Sequence, residues 1–406
     1  MKNMIMSLAL VGTGAGMAFA SEDDGTSWVV LADQVYTATG EVYEGGFVAV
    51  SDGKITGVGP GGGSGGSELD VYAVTPGMID LGARVVTHPD AIEQSTETAV
   101  TMRVADALNL FNQSWDRELR SGVTTVLASA PDNNVIGGLS IALKTGGEPT
   151  LEARTVKADA ALRGSFGTQP SQGNQQGSGT PQSFYVRRPT TRMGVEWEFR
   201  KSFYDTIAAG RYEELSFEGS EVLQDVLDGK LPLTVQAWAT QDIRTAIYLR
   251  EEFNIPNMIV DAAAEAWREP ELLARSGINV VLPPFSFHSG RVGRDRAFFA
   301  WNTAKMLSDL GVPFALSGHG ARVATDRLAY QPALAMRGGL SFEAALESVT
   351  IAPARMIGID DRVGSIEVGK DADLVLWSGP PFQPTSRVIG VMLDGHLVLD
   401  PRETSE

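Results

Sequence analysis

Between residues 73 and 358 one pattern repeats: a short apolar run rich in β-branched residues, then a longer segment of helical periodicity. The runs are "VTTVLASA", "GLSIALKT", "LPLTVQAW", "NMIVDAA", "INVVLPP" and "PFALSG". Between several of them lie helical segments such as "TQDIRTAIYLREEFN", "EPELLARSG" and "DRAFFAWNTAKMLSDLG". A helix between two strands returns the chain to the same end of the sheet, so the strands become parallel neighbours with covered faces. The class is α/β, and alternation over this length suits a closed, TIM-like (β/α)8 barrel.

The flanks read differently. Residues 27–59 alternate apolar and polar side chains between glycine turns, the pattern of antiparallel hairpins. Strands return at "ADLVLWSG" and "VIGVMLDGHLVLD". The expected organisation is therefore a barrel over 73–358 and a small β-sandwich domain built from both ends, 21–72 and 359–406. The stretch "TQPSQGNQQGSGTPQ" (168–182) reads as a mobile loop within the barrel.

Residues 1–20 read as a secretory signal: Lys2, a short apolar run interrupted by Gly12, Gly14 and Gly16, then Ala18-Phe19-Ala20. The expectation is an exported chain, periplasmic or secreted, with no membrane segment after cleavage. A formal charge of −17 opposes nucleic acid or an anionic membrane as partner. With no cysteine, thiolate chemistry and Cys-based metal sites are excluded.

Three stretches carry a resemblance. "VTPGMIDLGARV" (74–85), "LTVQAWATQDIRTAIYLREEFNI" (233–255) and "SVTIAPARMIGIDDRVGSIEVGKDADLVLWSGPPF" (348–382) are similar to segments of the amidohydrolase superfamily, in its imidazolonepropionase-like and secreted branch. The resemblance implies a barrel holding one or two divalent metals at the C-terminal strand ends. It also implies metal-bound hydroxide attacking a non-peptide or dipeptide C–N bond, with a carboxylate on the last strand taking the proton.

The positions the resemblance assigns to metal ligands carry other residues. The first His-x-His falls on Gly82 and Arg84, and the second on Gln236 and Trp238. A third histidine position falls on Ala262, or on Asp261 with a one-residue slip, and the final Ser-Asp falls at Gly318 and His319. Glycine and alanine donate nothing, arginine and indole offer no lone pair to a cation, and an amide oxygen is weak. A catalytic zinc normally takes three protein ligands. No cofactor is therefore expected; the alternative is zinc or another divalent ion held by a regrouped His88, His288 and His319. His396, in the terminal strands, reads as structural.

Two functional readings stay open. In one, the chain is a degenerate member of the family, binding a ligand or supporting an active amidohydrolase paralogue or a second copy of itself. Arg84, Gln236, Trp238 and His319 are then candidates for gripping a small anion, unless Arg84 pairs with Asp80. In the other, the chain is an active C–N hydrolase with a non-standard or relocated metal site.

Overall fold

A computed structural model describes residues 27–83, 85, 91–93, 95–172, 174, 187–285, 291–292, 295–319 and 326–402. The signal segment at 1–20, Arg84, His88, His288 and most of the loop expected at 168–182 lie outside the described residues.

Strands β1 (Trp28–Tyr36), β2 (Val42–Ser51), β3 (Lys54–Pro60) and β4 (Ser67–Pro76) open the chain. The barrel strands follow: β5 (Met78–Asp80), β6 (Val123–Ala128), β7 (Ile136–Lys144), β8 (Thr155–Ser165), β9 (Leu233–Gln236), β10 (Met258–Asp261) and β11 (Asn279–Leu282). A two-residue pair, β12 (Arg291–Val292) and β13 (Asp295–Arg296), precedes the last barrel strand, β14 (Phe314–Leu316). The chain ends on β15 (Leu374–Trp377), β16 (Val388–Leu393) and β17 (His396–Leu399).

The helices are α1 (Gln113–Arg120), α2 (Leu151–Arg154), α3 (Arg192–Ala209), α4 (Ser220–Leu227) and α5 (Thr240–Phe253). They continue with α6 (Pro270–Ser276), α7 (Thr303–Asp309), α8 (Gln331–Arg337), α9 (Phe342–Glu347) and α10 (Ile351–Ile357). Their limits follow local chemistry. The Thr191 hydroxyl accepts from Gly194 N at the start of α3, Pro270 opens α6, and left-handed Asn254, Gly277 and Gly358 close α5, α6 and α10. None of the helices among the described residues is long and apolar enough to cross a membrane.

Eight strands form the barrel-like sheet, in the order β14-β11-β10-β9-β8-β7-β6-β5. Simple strand–helix alternation does not hold throughout: β7 runs antiparallel to both β6 and β8. Only residues 129–135 separate β6 from β7, and 145–154 with the four-residue α2 separate β7 from β8. A parallel crossover needs a dozen or more residues, so these links permit only reversal. The remaining barrel pairs, β5–β6 and β8 through β9, β10 and β11 to β14, are parallel. Strands β6, β9 and β10 are buried at every position, as barrel strands covered on both faces must be.

The gap between β14 and β5 is bridged by the backbone of Ser348 and Val349. Their carbonyls accept from Leu316 N at 3.0 Å and Ile79 N at 2.7 Å.

The two chain ends join in one continuous hydrogen-bonded sheet of seven strands, β17-β16-β15-β4-β1-β2-β3, so both ends contribute to one small β unit. The reason is β4, which pairs parallel with β1 and antiparallel with β15 and so splices one end into the other.

A buried cation ties this sheet to the barrel. Lys144, at the end of the reversed β7, places Nζ 2.5 Å from Asp373, 3.2 Å from Asp371 and 3.2 Å from Asp394. Burial alone would lower its pKa, but the surrounding carboxylates raise it, so the ammonium stays charged. Lys54 and Arg362 complete the neutralisation of Asp371 at 2.5 and 2.8 Å. Removing one partner from a buried ion cluster leaves uncompensated charge. Lys144→Met is expected to destabilise the fold by about 3–5 kcal/mol, read as a fall in the urea midpoint. Adding Asp373→Asn should recover part of that loss.

Candidate functional site: a buried arginine in the barrel

The sequence placed its candidate residues by motif; the structure sets Gly82, Gln236, Ala262 and His319 at or just past the C-terminal ends of β5, β9, β10 and β14. Trp238 lies two residues beyond β9.

At the centre stands a residue that motif reading passed over, Arg163 on β8. Its Nε donates to Asp132 Oδ1 at 2.8 Å, and its Nη2 donates to Asp261 Oδ2 at 2.7 Å. The second oxygen of Asp132 accepts from Gln236 Nε2 at 2.6 Å, and Gln236 Oε1 accepts from the Ser165 hydroxyl at 3.2 Å. The second oxygen of Asp261 accepts from Ala262 N at 2.7 Å and lies 3.0 Å from His319 Nε2. One connected network thus runs Gln236–Asp132–Arg163–Asp261–His319, and its charged members are 2–6% exposed.

The electrostatics follow from the geometry. Burial raises the Asp261 carboxyl, but His319 and Arg163 outweigh it and hold the group well below the usual carboxylate range. Burial lowers the Arg163 guanidinium, and Asp132 and Asp261 push it above its ordinary value. Because Asp261 is ionised and accepts only, His319 Nε2 carries the hydrogen of that bond.

Asp80 serves a different purpose. It accepts from Gly82 N at 2.9 Å, Ser317 Oγ at 2.6 Å and Gly318 N at 2.9 Å, clasping the ends of the first and last barrel strands together. Burial raises its pKa against those three hydrogen bonds. Its described partners are a hydroxyl and two backbone amides; Arg84, the cation expected to tie it up, lies outside the described residues.

Space at the rim has also been reassigned. A Cβ at Gly82 would lie 2.4 Å from Ser317 Oγ and 2.9 Å from His319 Nε2. The His319 imidazole and the Ser317 hydroxyl therefore occupy the volume that a side chain at 82 would need. His319 has φ of +43° and Ala262 +57°, two left-handed non-glycine residues, the first three residues beyond β14 and the second directly after β10. Trp238 packs 5.6 Å from the His319 ring, centroid to centroid. Its buried indole N–H has no hydrogen-bond partner among the described residues.

The donors among the described residues do not fit a catalytic divalent ion. Gly82 and Ala262 supply none, both ends of the Gln236 amide are used, and His319 Nε2 is protonated toward Asp261. Asp261 and Asp132 share a guanidinium. Among the described residues, no group of three or more His, Cys, Asp or Glu side chains is placed to hold a metal. Of the regrouped trio, His88 and His288 lie outside the described residues. A fixed cation already sits among the carboxylates and would repel a second one.

Sequence reasoning missed Arg163, Asp132 and Ser165. The signal was present: an arginine directly after the apolar run "AAL" in "DAALRGSFG", among small and apolar neighbours, is a buried charge in need of partners.

Two measurements test this arrangement. Gly82→Ala is expected to cost about 1–3 kcal/mol through overpacking, and clearly less in a Ser317→Ala background, a coupling that denaturant titration of the four-member cycle reads out. The second concerns Glu118 on α1. Burial and the nearby Asp80 raise its pKa to about 7, against the opposing pull of Arg327 and Arg117. The folded state therefore holds a proton that the unfolded chain releases near 4.5. This group's contribution to stability is full below that value and is lost as pH rises to about 7. Glu118→Gln should flatten that decline in a series of urea midpoints. Asp261 has the opposite sign: its contribution is lost only as pH falls below the carboxylate range.

Comparison with known proteins places this geometry. The model of the Amidohydrolase family matches residues 257–398. The amidohydrolase tasK of Hapsidospora irregularis is 25% identical over 362 residues, which are 80% of this chain and 36% of that protein. An imidazolonepropionase of Shouchella clausii is 32% identical over 142 residues, 32% of this chain and 30% of that protein. The chain thus spans only about a third of the length of these relatives in the matched regions. Among solved structures, an amidohydrolase from Thermotoga maritima MSB8 superposes with a TM-score of 0.80 at 28% identity, covering 92% of this chain and all of that one. With the barrel-like sheet, the match over residues 257–398 and this neighbour in agreement, the chain belongs to the amidohydrolase superfamily.

Proposed function

We propose that this chain has the amidohydrolase scaffold without metal-dependent C–N hydrolysis, and that it acts by binding a ligand or by supporting a partner subunit. The observation that carries this reading is Arg163, clamped between Asp132 and Asp261. Lowering the pKa of a bound water requires an open coordination position on a metal held by lone-pair donors. Here the carboxylates are neutralised by a guanidinium, which has no such position and no lone pair to give. The partner would be a second copy or an active amidohydrolase paralogue, and the secretory pattern expected at residues 1–20 supports a role outside the cytoplasm.

One observation favours a second reading. Asp261 orients His319 through Nε2, the relation of an orienting carboxylate to a general base, and this leaves Nδ1 to take a proton. In that case the chain would be a hydrolase that works without a metal, with His319 drawing the proton from water.

The test is metal analysis of the purified chain after incubation with zinc or manganese, beside a screen of dipeptides and cyclic amides. The expected outcome is no stoichiometric metal and no turnover. Tight stoichiometric metal with turnover would overturn the first reading. Turnover that survives chelation and disappears in His319→Ala would establish the second.

A further inference from the structure

Away from the Arg163 network, a groove of about 780 Å³ opens between α8, the end of α1 and the segment leading from β15 to β16. That volume lies within the range of small-molecule sites. Its charged lining is of one sign: Arg120, Arg327, Arg337 and Arg387, with no Asp, Glu or Lys in the wall among the described residues. In a chain of net charge −17, carboxylates are plentiful, so four guanidinium groups gathered without one are not a chance sampling of the surface.

Only one of the four is visibly spoken for. Arg120 pairs with Asp116 at 2.9 Å along α1. Arg327, Arg337 and Arg387 make no ion pair within 4 Å among the described residues. Glu118 acts on Arg327 through space alone, and at a pKa of about 7 it is a weak counter-charge. Like charges held together repel, and a bound anion relieves that cost.

The rest of the wall is aromatic. Phe285 and Trp301 lie nearly parallel at 6.3 Å, and Trp301 and Tyr330 are 46% and 52% exposed. Trp377 and Phe382 line the groove deeper in, both buried. The buried hydroxyl of Ser386, also in the wall, has no hydrogen-bond partner among the described residues. Planar guanidinium forks match carboxylate or phosphate oxygens, and aromatic walls favour a flat apolar body.

We propose that this groove is a binding site for a small organic anion with a flat aromatic body and a carboxylate or phosphate head. The head lies among Arg327, Arg337 and Arg387, and the body lies against Trp301 and Tyr330. The proposal does not rest on the fate of the central network, since none of that network's residues lines the groove.

The experiment is isothermal titration of the full chain with four probes: 2-naphthoate, 2-naphthyl phosphate, neutral 2-naphthamide and inorganic phosphate. The expected result is saturable binding of at least one naphthyl anion, with the amide and bare phosphate weaker by about tenfold or more and affinity falling as salt is added. The preferred anion identifies the head group. Arg327→Gln with Arg337→Gln should weaken that anion by about tenfold, and Trp301→Leu should weaken it independently, with thermal melts confirming that each variant is folded. Equal affinity for naphthoate and naphthamide, indifference to salt, or no saturable binding of either anion would overturn the proposal. The first two checks use the unaltered chain, so they stand even if a variant fails to fold. No metal or turnover enters the readout, so this result is separable from that of the central site.

Discussion

A guanidinium enclosed in a β-barrel has to be neutralised where it stands, because taking a charge out of water costs far more than the fold can leave uncompensated. Arg163 meets this requirement with two carboxylates from two different places, Asp132 after β6 and Asp261 at the end of β10. The positions of the neighbouring side chains then follow. The spare oxygen of Asp132 orients the Gln236 amide, and that amide takes the Ser165 hydroxyl. The spare oxygen of Asp261 holds the His319 ring. Side chains on or just after β6, β9, β10 and β14 are thus gathered around one positive charge that belongs to the chain itself.

The second cluster, at the opposite end of β7, follows the same logic for a different purpose. Lys144 reaches the small sheet because β7 runs against its neighbours, and it reaches there because the links on either side are too short for crossover helices. Chain length between strands thus decides the direction of a strand, the direction decides where its last residue lies, and a buried ion cluster fixes one domain on the other.

Much of this was legible in advance, and the reasons are local. The strand–helix period gave the barrel, the alternation at both ends gave the small sheet's strands, and residues 348–382 carried the family. Gly82 and Ala262 could be read directly, since a residue without a donor atom is a statement about chemistry. What sequence could not supply was partnership. Asp132, Arg163 and Asp261 stand far apart along the chain, and each alone looks like an ordinary polar residue beside an apolar strand. The splice of one chain end into the other escaped notice for a related reason: the parallel pairing of β4 with β1 is a property of register across space, and alternation reports only which face a residue takes. The cation at the centre was sought at Arg84, next to the motif, when a charged residue inside an apolar β-run was the stronger signal.

The departures from the family pattern also depend on one another. A larger residue at 82 meets the Ser317 hydroxyl and the His319 ring; moving His319 frees an oxygen of Asp261; and withdrawing Arg163 leaves Asp132 and Asp261 facing each other unneutralised. Groups in one hydrogen-bonded network do not contribute additively, so a change at one of these positions alters the contacts of the others. Substitutions at or just past the ends of β5, β8, β10 and β14 are therefore coupled. The same interdependence makes the network a floor to the barrel mouth, beside which His319 and Ala262 adopt left-handed conformations. Its one guanidinium faces two carboxylates, and each carboxylate oxygen has a hydrogen-bond partner within the network or its backbone.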